Sequence, residues 1–454
     1  MKKKHRKLKV FLGALAAIVV IVAGYLGISS WVSSLPKLNY DNNTDTSAAV
    51  AYPDADFAVI SDLHLYDPSL GTTGSQFEET MNSDRKLLLD SEDLLDYAIG
   101  DIIKSQVRFV LVSGDMTKDG ELVDHNIVAG KLKALTDAGI KVYVIPGNHD
   151  INNPGAVSYN GDTTTPVDSI TADDFARIYA DFGFNDALER DTDSLSYVAE
   201  PVDGLWLLAI DDCRYRDNKP GQEETVGGKI SQQTADWIAG VLKEASRQGK
   251  AVMVMIHHGV VEHWDGQHKL HPDYLIEDYT HFGEFLASYN VRIAFTGHYH
   301  AQDITEGTFG DGKYLYDVET GSLITAPCPI RYCSITDNSF TVKSETIVDK
   351  LHPGTDFAAN ATAFVKKTVM LEAEKTLKKY FVSDQDTAYI AEAVGNAFVA
   401  HYSGDENPAD RPAFDESKLS LWGRVIYFME GYVINGLWND LYPPDNNATF
   451  SLDG

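Results

Sequence analysis

Five short apolar runs of this chain end on metal-binding side chains, and that repetition limits the fold more than any other feature. Phe57-Ala58-Val59-Ile60 runs into Ser61-Asp62-Leu63-His64, and Phe109-Val110-Leu111-Val112 into Ser113-Gly114-Asp115. Lys141-Val142-Tyr143-Val144-Ile145 runs into Pro146-Gly147-Asn148-His149-Asp150. Ala251–Ile256 leads to His257-His258-Gly259, and Val291–Phe295 to Thr296-Gly297-His298-Tyr299-His300. Runs this short, rich in β-branched residues and closed by Gly or Pro, read as buried strands. Helical spacing fills the intervals, over Asp93 to Ser105, Val123 to Ala138, Ser231 to Gln248 and Phe282 to Ser288. Strands and helices in alternation make an α/β layered fold. Open sheets of that kind bind ligands at the carboxyl ends of their strands. One Asp or His after a strand is ordinary turn polarity; five such endings indicate a site.

The donor types narrow the chemistry. Asp62 and His64 are two apart, so in an extended segment both side chains leave on the same side. Carboxylates mixed with imidazoles and one amide suit transition metals better than Ca²⁺ or Mg²⁺, which prefer oxygen throughout. Asp62-x-His64, Gly114-Asp115, Gly147-Asn148-His149-Asp150, His257 and Gly297-His298-x-His300 stand in the order of the calcineurin-like metallophosphoesterase family, which residues 56–347 resemble.

The resemblance implies an α/β (α+β) fold, a four-layer αββα sandwich of two mixed β-sheets. It also implies two divalent or trivalent metal ions (Mn²⁺, Fe²⁺/Fe³⁺ or Zn²⁺). By position Asp62, His64 and His300 would hold one ion, Asn148, His257 and His298 the other, and Asp115 would bridge them. His258 competes with His257 for its place; His257 is nearer the strand end. His149 would be the catalytic acid, and Asp150 would orient His149 or cap the turn. Gly147 would let the backbone turn sharply. Phosphoester hydrolysis places negative charge on the entering and leaving oxygens. Two cations roughly 3.5–4 Å apart clamp both and bring the pKa of a bound water toward about 7, so hydroxide attacks at neutral pH. A histidine in reach then protonates the leaving oxygen.

The charge balance bears on substrate. Asp and Glu number 67 against 38 Lys and Arg, for a net charge of −29. Such a field opposes long nucleic acid and polyanions. The expected partner is a small phosphoester. The architecture is similar to bacterial extracytoplasmic or membrane-attached cyclic-nucleotide phosphodiesterases with a C-terminal helical domain, which points to 3′,5′-cyclic nucleotides or similar small phosphodiesters. The alternatives are a phosphomonoesterase, a hydrolase of cell-envelope phosphodiesters, and a non-enzymatic surface binding protein. Arg214, His263 and Tyr299 are candidate substrate contacts, with Trp264, His268 and His271 nearby.

The rest of the chain divides around this core. Residues 11–28 carry no charge and follow the basic Lys2-Lys3-Lys4-His5-Arg6-Lys7. Residues 1–34 therefore read as a cytoplasmic tip and a transmembrane helix, or as a signal peptide, with the catalytic part extracytoplasmic or secreted. Residues 35–55 read as a polar linker and 56–350 as the catalytic domain. Residues 151–200 read as an insertion over the strand ends, with a helix at Ala172 to Asp181. Residues 355–454 read as an appended all-α domain, with helices over Ala363 to Phe381, Ser383 to His401 and Ser417 to Leu441. In the last of these Leu421, Val425, Phe428 and Tyr432 form an apolar stripe widened by Ile426, Met429 and Val433. Cys213, Cys328 and Cys333 are too few for a disulfide framework; Cys328 and Cys333 could pair or remain buried thiols.

Overall fold

The computed structural model describes residues 38–43 and 50–453. The anchor or signal peptide expected over 1–34 lies outside the described residues, among which no helix is long and apolar enough to cross a membrane. Residues Tyr40–Gly454 form one compact unit.

Two mixed sheets carry that unit. The strands are β1 (Ala55–Ile60), β2 (Phe109–Val112), β3 (Lys141–Val144), β4 (Val157–Asn160), β5 (Thr163–Pro166), β6 (Glu189–Arg190), β7 (Tyr197–Val202) and β8 (Leu205–Ile210). They continue as β9 (Ala251–Ile256), β10 (Ile293–Thr296), β11 (Asp303–Thr308), β12 (Tyr314–Glu319), β13 (Pro329–Thr336), β14 (Ser339–Thr346) and β15 (Asn447–Ser451). The first sheet has the order β15-β14-β13-β1-β2-β3 and the second β11-β12-β10-β9-β8-β7-β6; β4 and β5 form a separate hairpin. In the first, β1, β2 and β3 are parallel, and in the second β8, β9, β10 and β12 are parallel. Antiparallel strands complete the edges. Of the parallel strands, β2, β8 and β9 are apolar throughout because both faces are covered.

Aromatic side chains join the sheets. Phe57 of β1 stacks on Phe109 of β2 at 4.8 Å between centroids and meets Phe295 of β10 edge-on at 5.4 Å. The helices Ser91–Ser105 and Leu122–Asp137 pack with the first sheet, and Gln232–Gln248 and Tyr279–Ser288 with the second. Helix Gln232–Gln248 shows the local logic. Ser231 accepts from the Thr234 N–H at its start, Ile238, Val241, Leu242 and Ala245 are buried, and Gly249 at φ 66° ends it.

Three expectations change. The insertion is not all above the strand ends: β7 lies within it and pairs antiparallel with β8 inside the second sheet. The linker is anchored at its end, where buried Tyr52 donates its hydroxyl to the Val252 carbonyl at 2.7 Å. The C-terminal region is not all-α and does not stand apart. After the helices Phe357–Lys379, Asp384–Ser403, Leu421–Glu430 and Tyr432–Gly436, β15 extends the first sheet beside β14. Phe398, Tyr402 and Val433 belong to the same apolar core as Phe57. All three cysteines are free, so Cys328 and Cys333 do not pair.

The apolar stripe that starts on helix Leu421–Glu430 is divided between two sides. Ile426 is buried, whereas Leu421 is 82% and Phe428 89% exposed, with Val425 and Met429 also exposed. Periodicity shows that a helix has an apolar face, not that the fold covers it.

Candidate metal centre

The parallel strands deliver the candidate ligands to one place. Turns after β1, β2 and β3 present Asp62, His64, Asp115 and Asn148; turns after β9 and β10 present His257, His298 and His300. Backbone bonds lock these turns together: the Asp62 N–H donates to the Gly114 carbonyl at 3.1 Å, His64 to Asp115 at 3.0 Å and Gly297 to His257 at 3.0 Å.

Two donor groups share Asp115. In the first, His64 Nε2 lies 3.1 Å from His300 Nε2 and 3.8 Å from Asp62 Oδ1, and His300 Nε2 lies 3.4 Å from the same oxygen. In the second, His257 Nε2 lies 3.2 Å from Asn148 Oδ1, with His298 beside it. Asp115 Oδ2 is 3.5 Å from both His64 Nε2 and His257 Nε2. Each group could hold a metal ion.

Five of these seven residues adopt left-handed backbone: Asp62 (φ 52°), His64 (36°), Asp115 (50°), His298 (71°) and His300 (68°). Side-chain-bearing residues resist that region by about 1–2 kcal/mol each. Such strain concentrated in one constellation marks a functional site.

Ionisation fits the donor set. Burial holds His64 and His298 well below the ordinary histidine range, leaving neutral rings whose lone pairs can bind metal. Burial opposes ionisation of Asp115, but His257, His149 and His64 outweigh it and hold its carboxyl well below the usual range. Burial would lower His257, yet Asp115 raises it to about 10; a cation can take the place of that proton. Asn148 Nδ2 is buried without a hydrogen-bond partner. Mixed N and O donors, neutral imidazoles and a shared carboxylate fit two transition-metal ions.

His149 sits at the edge of the centre. Its ring is 4.9 Å from that of His64, its Nδ1 is 3.0 Å from Asp119 Oδ1, and its Nε2 is 3.5 Å from Glu224 Oε1. Burial disfavours its charge, but Glu224 and Asp115, with the Asp119 hydrogen bond, raise its pKa to about 9. Asp150 does not touch the His149 ring. It accepts from the Gly147 N–H at 2.8 Å and the Thr117 N–H at 3.1 Å, so it caps the turn and ties it to the end of β2. Gly147 is absent from the positive-φ glycines; what it needs is space, because a Cβ there would lie 2.0 Å from Asp115 Oδ1. His258 turns away from the donors, with Nδ1 2.9 Å from Asp212 Oδ2 and Nε2 2.7 Å from the Val226 carbonyl.

The substrate contacts are placed differently. His263 is fully buried, with Nδ1 2.6 Å from Asp303 and Nε2 3.3 Å from Asp317, so it belongs to an interior network and not to the mouth. Tyr299 is also buried and accepts from Trp264 Nε1 at 3.2 Å, with His271 Nδ1 at 3.0 Å. Arg214 pairs with its neighbour Asp217 at 2.7 Å on the surface. His268 is exposed and pairs with Glu262 at 2.8 Å.

Other residues line the rim instead. Lys86 is buried, lies 3.4 Å from Asp84, and feels the carboxylates of Asp115, Asp119 and Glu224. Tyr274 is half-buried with its ring 4.6 Å from that of His298. These come from loops with no metal-ligand spacing; only Asp119, four residues past Asp115 in the same turn, carried a local signal.

The profile described as calcineurin-like phosphoesterase matches residues 55–302. No curated protein matches the sequence. Among solved structures, a dimetal phosphatase from Danio rerio is 16% identical with a TM-score of 0.47, over 65% of this chain and 97% of its own. A purple acid phosphatase from yellow lupin (Lupinus luteus) seeds is 13% identical with a TM-score of 0.39, over 66% and 52%. An NAD nucleotidase from Haemophilus influenzae is 12% identical with a TM-score of 0.34, over 74% and 62%.

Proposed function

From the premise that the chain belongs to the calcineurin-like phosphoesterase family and is a dimetal phosphoesterase, we propose that it hydrolyses phosphodiesters, most readily small ones such as 3′,5′-cyclic nucleotides. The observation that carries the diester reading is the charge of the rim. Three carboxylates, Asp84, Asp119 and Glu224, stand around the donor groups against two ammoniums, Lys86 beside Asp84 and Lys118 paired with Asp119. A monoester arrives as a dianion and a diester as a monoanion, so this rim resists the monoester more.

Bound metals supply Lewis acidity at the phosphoryl oxygens and a water acidic enough to attack. Asp62, His64 and His300 would hold one ion and Asn148, His257 and His298 the other, with Asp115 in reach of both donor groups. Lys86 directs its ammonium toward the substrate phosphate. His149, kept in place by Asp119, delivers a proton from Nε2 to the leaving oxygen. Tyr274 offers an aromatic face beside His298 on which a base can stack, which supports the cyclic-nucleotide reading. Residues 1–34 are proposed as the membrane anchor, with the catalytic unit outside the cytoplasm.

The test is turnover by residues 40–454 loaded with Mn²⁺. Cleavage of bis-p-nitrophenyl phosphate and 3′,5′-cyclic AMP, with little of p-nitrophenyl phosphate, is the expected pattern. Preference for the monoester overturns the diester reading and leaves the phosphomonoesterase.

A further inference from the structure

The exposed stripe on helix Leu421–Glu430 is an apolar surface that the fold leaves uncovered. Leu421, Trp422, Val425, Phe428 and Met429 recur at i, i+1, i+4, i+7 and i+8, one face of the helix, and all five are exposed. Gly423 and Ile426 face inward. The surface continues beyond the helix, because Trp422 Nε1 donates to the Tyr380 carbonyl at 3.0 Å and the next residue is Phe381. Phe381 is 90% exposed and held at φ 57°. An aromatic side chain in left-handed backbone at a solvent-facing tip is unfavourable twice over. Contiguous apolar surface of this kind marks an interaction site.

We propose that this face docks on an anionic lipid bilayer. The surface is made of one short helix and one turn, and its exposed apolar side chains are of the kind that interfacial helices bury at a bilayer surface. Its charge complements lipid phosphates. Acidic residues outnumber basic ones 67 to 38 in the chain, yet Lys375, Lys378, Lys379 and Arg424 stand on these two segments against Glu374, which lies 3.9 Å from Lys378, and Glu430 at the helix end. All four of these basic side chains are exposed. Trp422, with a polar indole nitrogen at the margin of an apolar face, is of the type enriched at membrane interfaces. The docking face itself does not depend on the anchor or on the identity of the phosphoester.

Residues 40–454 are the sample, since they form one compact unit. They are sedimented with vesicles of phosphatidylcholine alone and of phosphatidylcholine with equimolar phosphatidylglycerol, and Trp422 fluorescence is followed with brominated acyl chains. The expected result is co-sedimentation with the anionic vesicles and quenching of emission. Val425→Asp with Phe428→Asp lowers partition at least ~10-fold, with turnover of a soluble diester unchanged. Lys378→Glu with Lys379→Glu weakens binding to the anionic vesicles. Equal partition of wild type and the Val425→Asp/Phe428→Asp variant, or no partition at all, overturns the proposal. Dimerisation without lipid that this variant abolishes also overturns it, and assigns the face to a second copy of the chain.

Discussion

Gly147→Ala places one methyl group at the most crowded point of the centre. The new Cβ would stand 2.0 Å from Asp115 Oδ1 and 2.3 Å from the Asp115 backbone nitrogen. Ordinary carbon contacts begin near ~3.5 Å, so the turn after β3 must retreat from the turn after β2 by about 1 Å. No rotamer relieves this, because one of the atoms struck is backbone. The retreat strains the bond from the Gly147 N–H to Asp150 Oδ2 at 2.8 Å and that from the His149 N–H to Asp115 Oδ1 at 2.9 Å. Overpacking costs about 1–3 kcal/mol and a weakened buried hydrogen bond about 1–3 kcal/mol more, for a total of roughly 2–6 kcal/mol. A shift near 1 Å in a ligand turn also lowers turnover by on the order of 100-fold. Urea unfolding gives the first quantity, kcat/KM on bis-p-nitrophenyl phosphate the second, and metal content per chain shows whether Asp115 still binds. Gly100→Ala is the control: it lies within helix Ser91–Ser105 with nothing within 4 Å, so it gains roughly 0.5–1 kcal/mol. If Gly147→Ala matched wild type in stability and turnover, the turns would not be packed as described and the reasoning would fail.

Other expectations concern separate links of the account. His149→Gln retains both metals and slows hydrolysis by roughly 10²–10⁴, with metal analysis and single-turnover rates as the measurements; loss of the metals would make His149 a ligand. His125 is buried between Tyr179 and the Asp150 carbonyl, and burial lowers its pKa to about 3. The unfolded chain, at about 6.5, takes up that proton first, so stability is complete above pH 6.5 and falls by up to roughly 4 kcal/mol as pH drops to 3. His125→Gln reduces the slope of unfolding free energy between pH 6 and 4 by close to one proton; an unchanged slope refutes the assignment. Ser383 caps helix Asp384–Ser403 by accepting from the Asp386 N–H at 3.2 Å, so Ser383→Ala costs about 1 kcal/mol in urea midpoint.

The strands and ligand turns were legible in the sequence because both signals are local. A run such as Ala251–Ile256 is apolar throughout when both faces are covered, and its terminal His257 is adjacent in sequence. What was hidden depends on the partner. β7 reads as part of a polar insertion until β8 pairs with it, and β15 is a short edge strand that exists because β14 is beside it. His263 and Tyr299 share their loops with residues of the mouth, but burial is a property of the whole fold and removed both from it. Lys86, Glu224 and Tyr274 reach the rim from three distant loops, so no spacing connects them. The stripe at Leu421–Met429 has the periodicity of a core helix, and only the structure shows which way it faces.

The central claim is that two metal ions share Asp115 and act together on a phosphodiester. Titrating metal-free residues 40–454 with Mn²⁺, while following bound metal by elemental analysis and bis-p-nitrophenyl phosphate cleavage together, tests it most directly. Two ions per chain at saturation, turnover that requires the second, and loss of both properties in Asp115→Ala are the expected results. Full turnover with one ion or none per chain would contradict the claim.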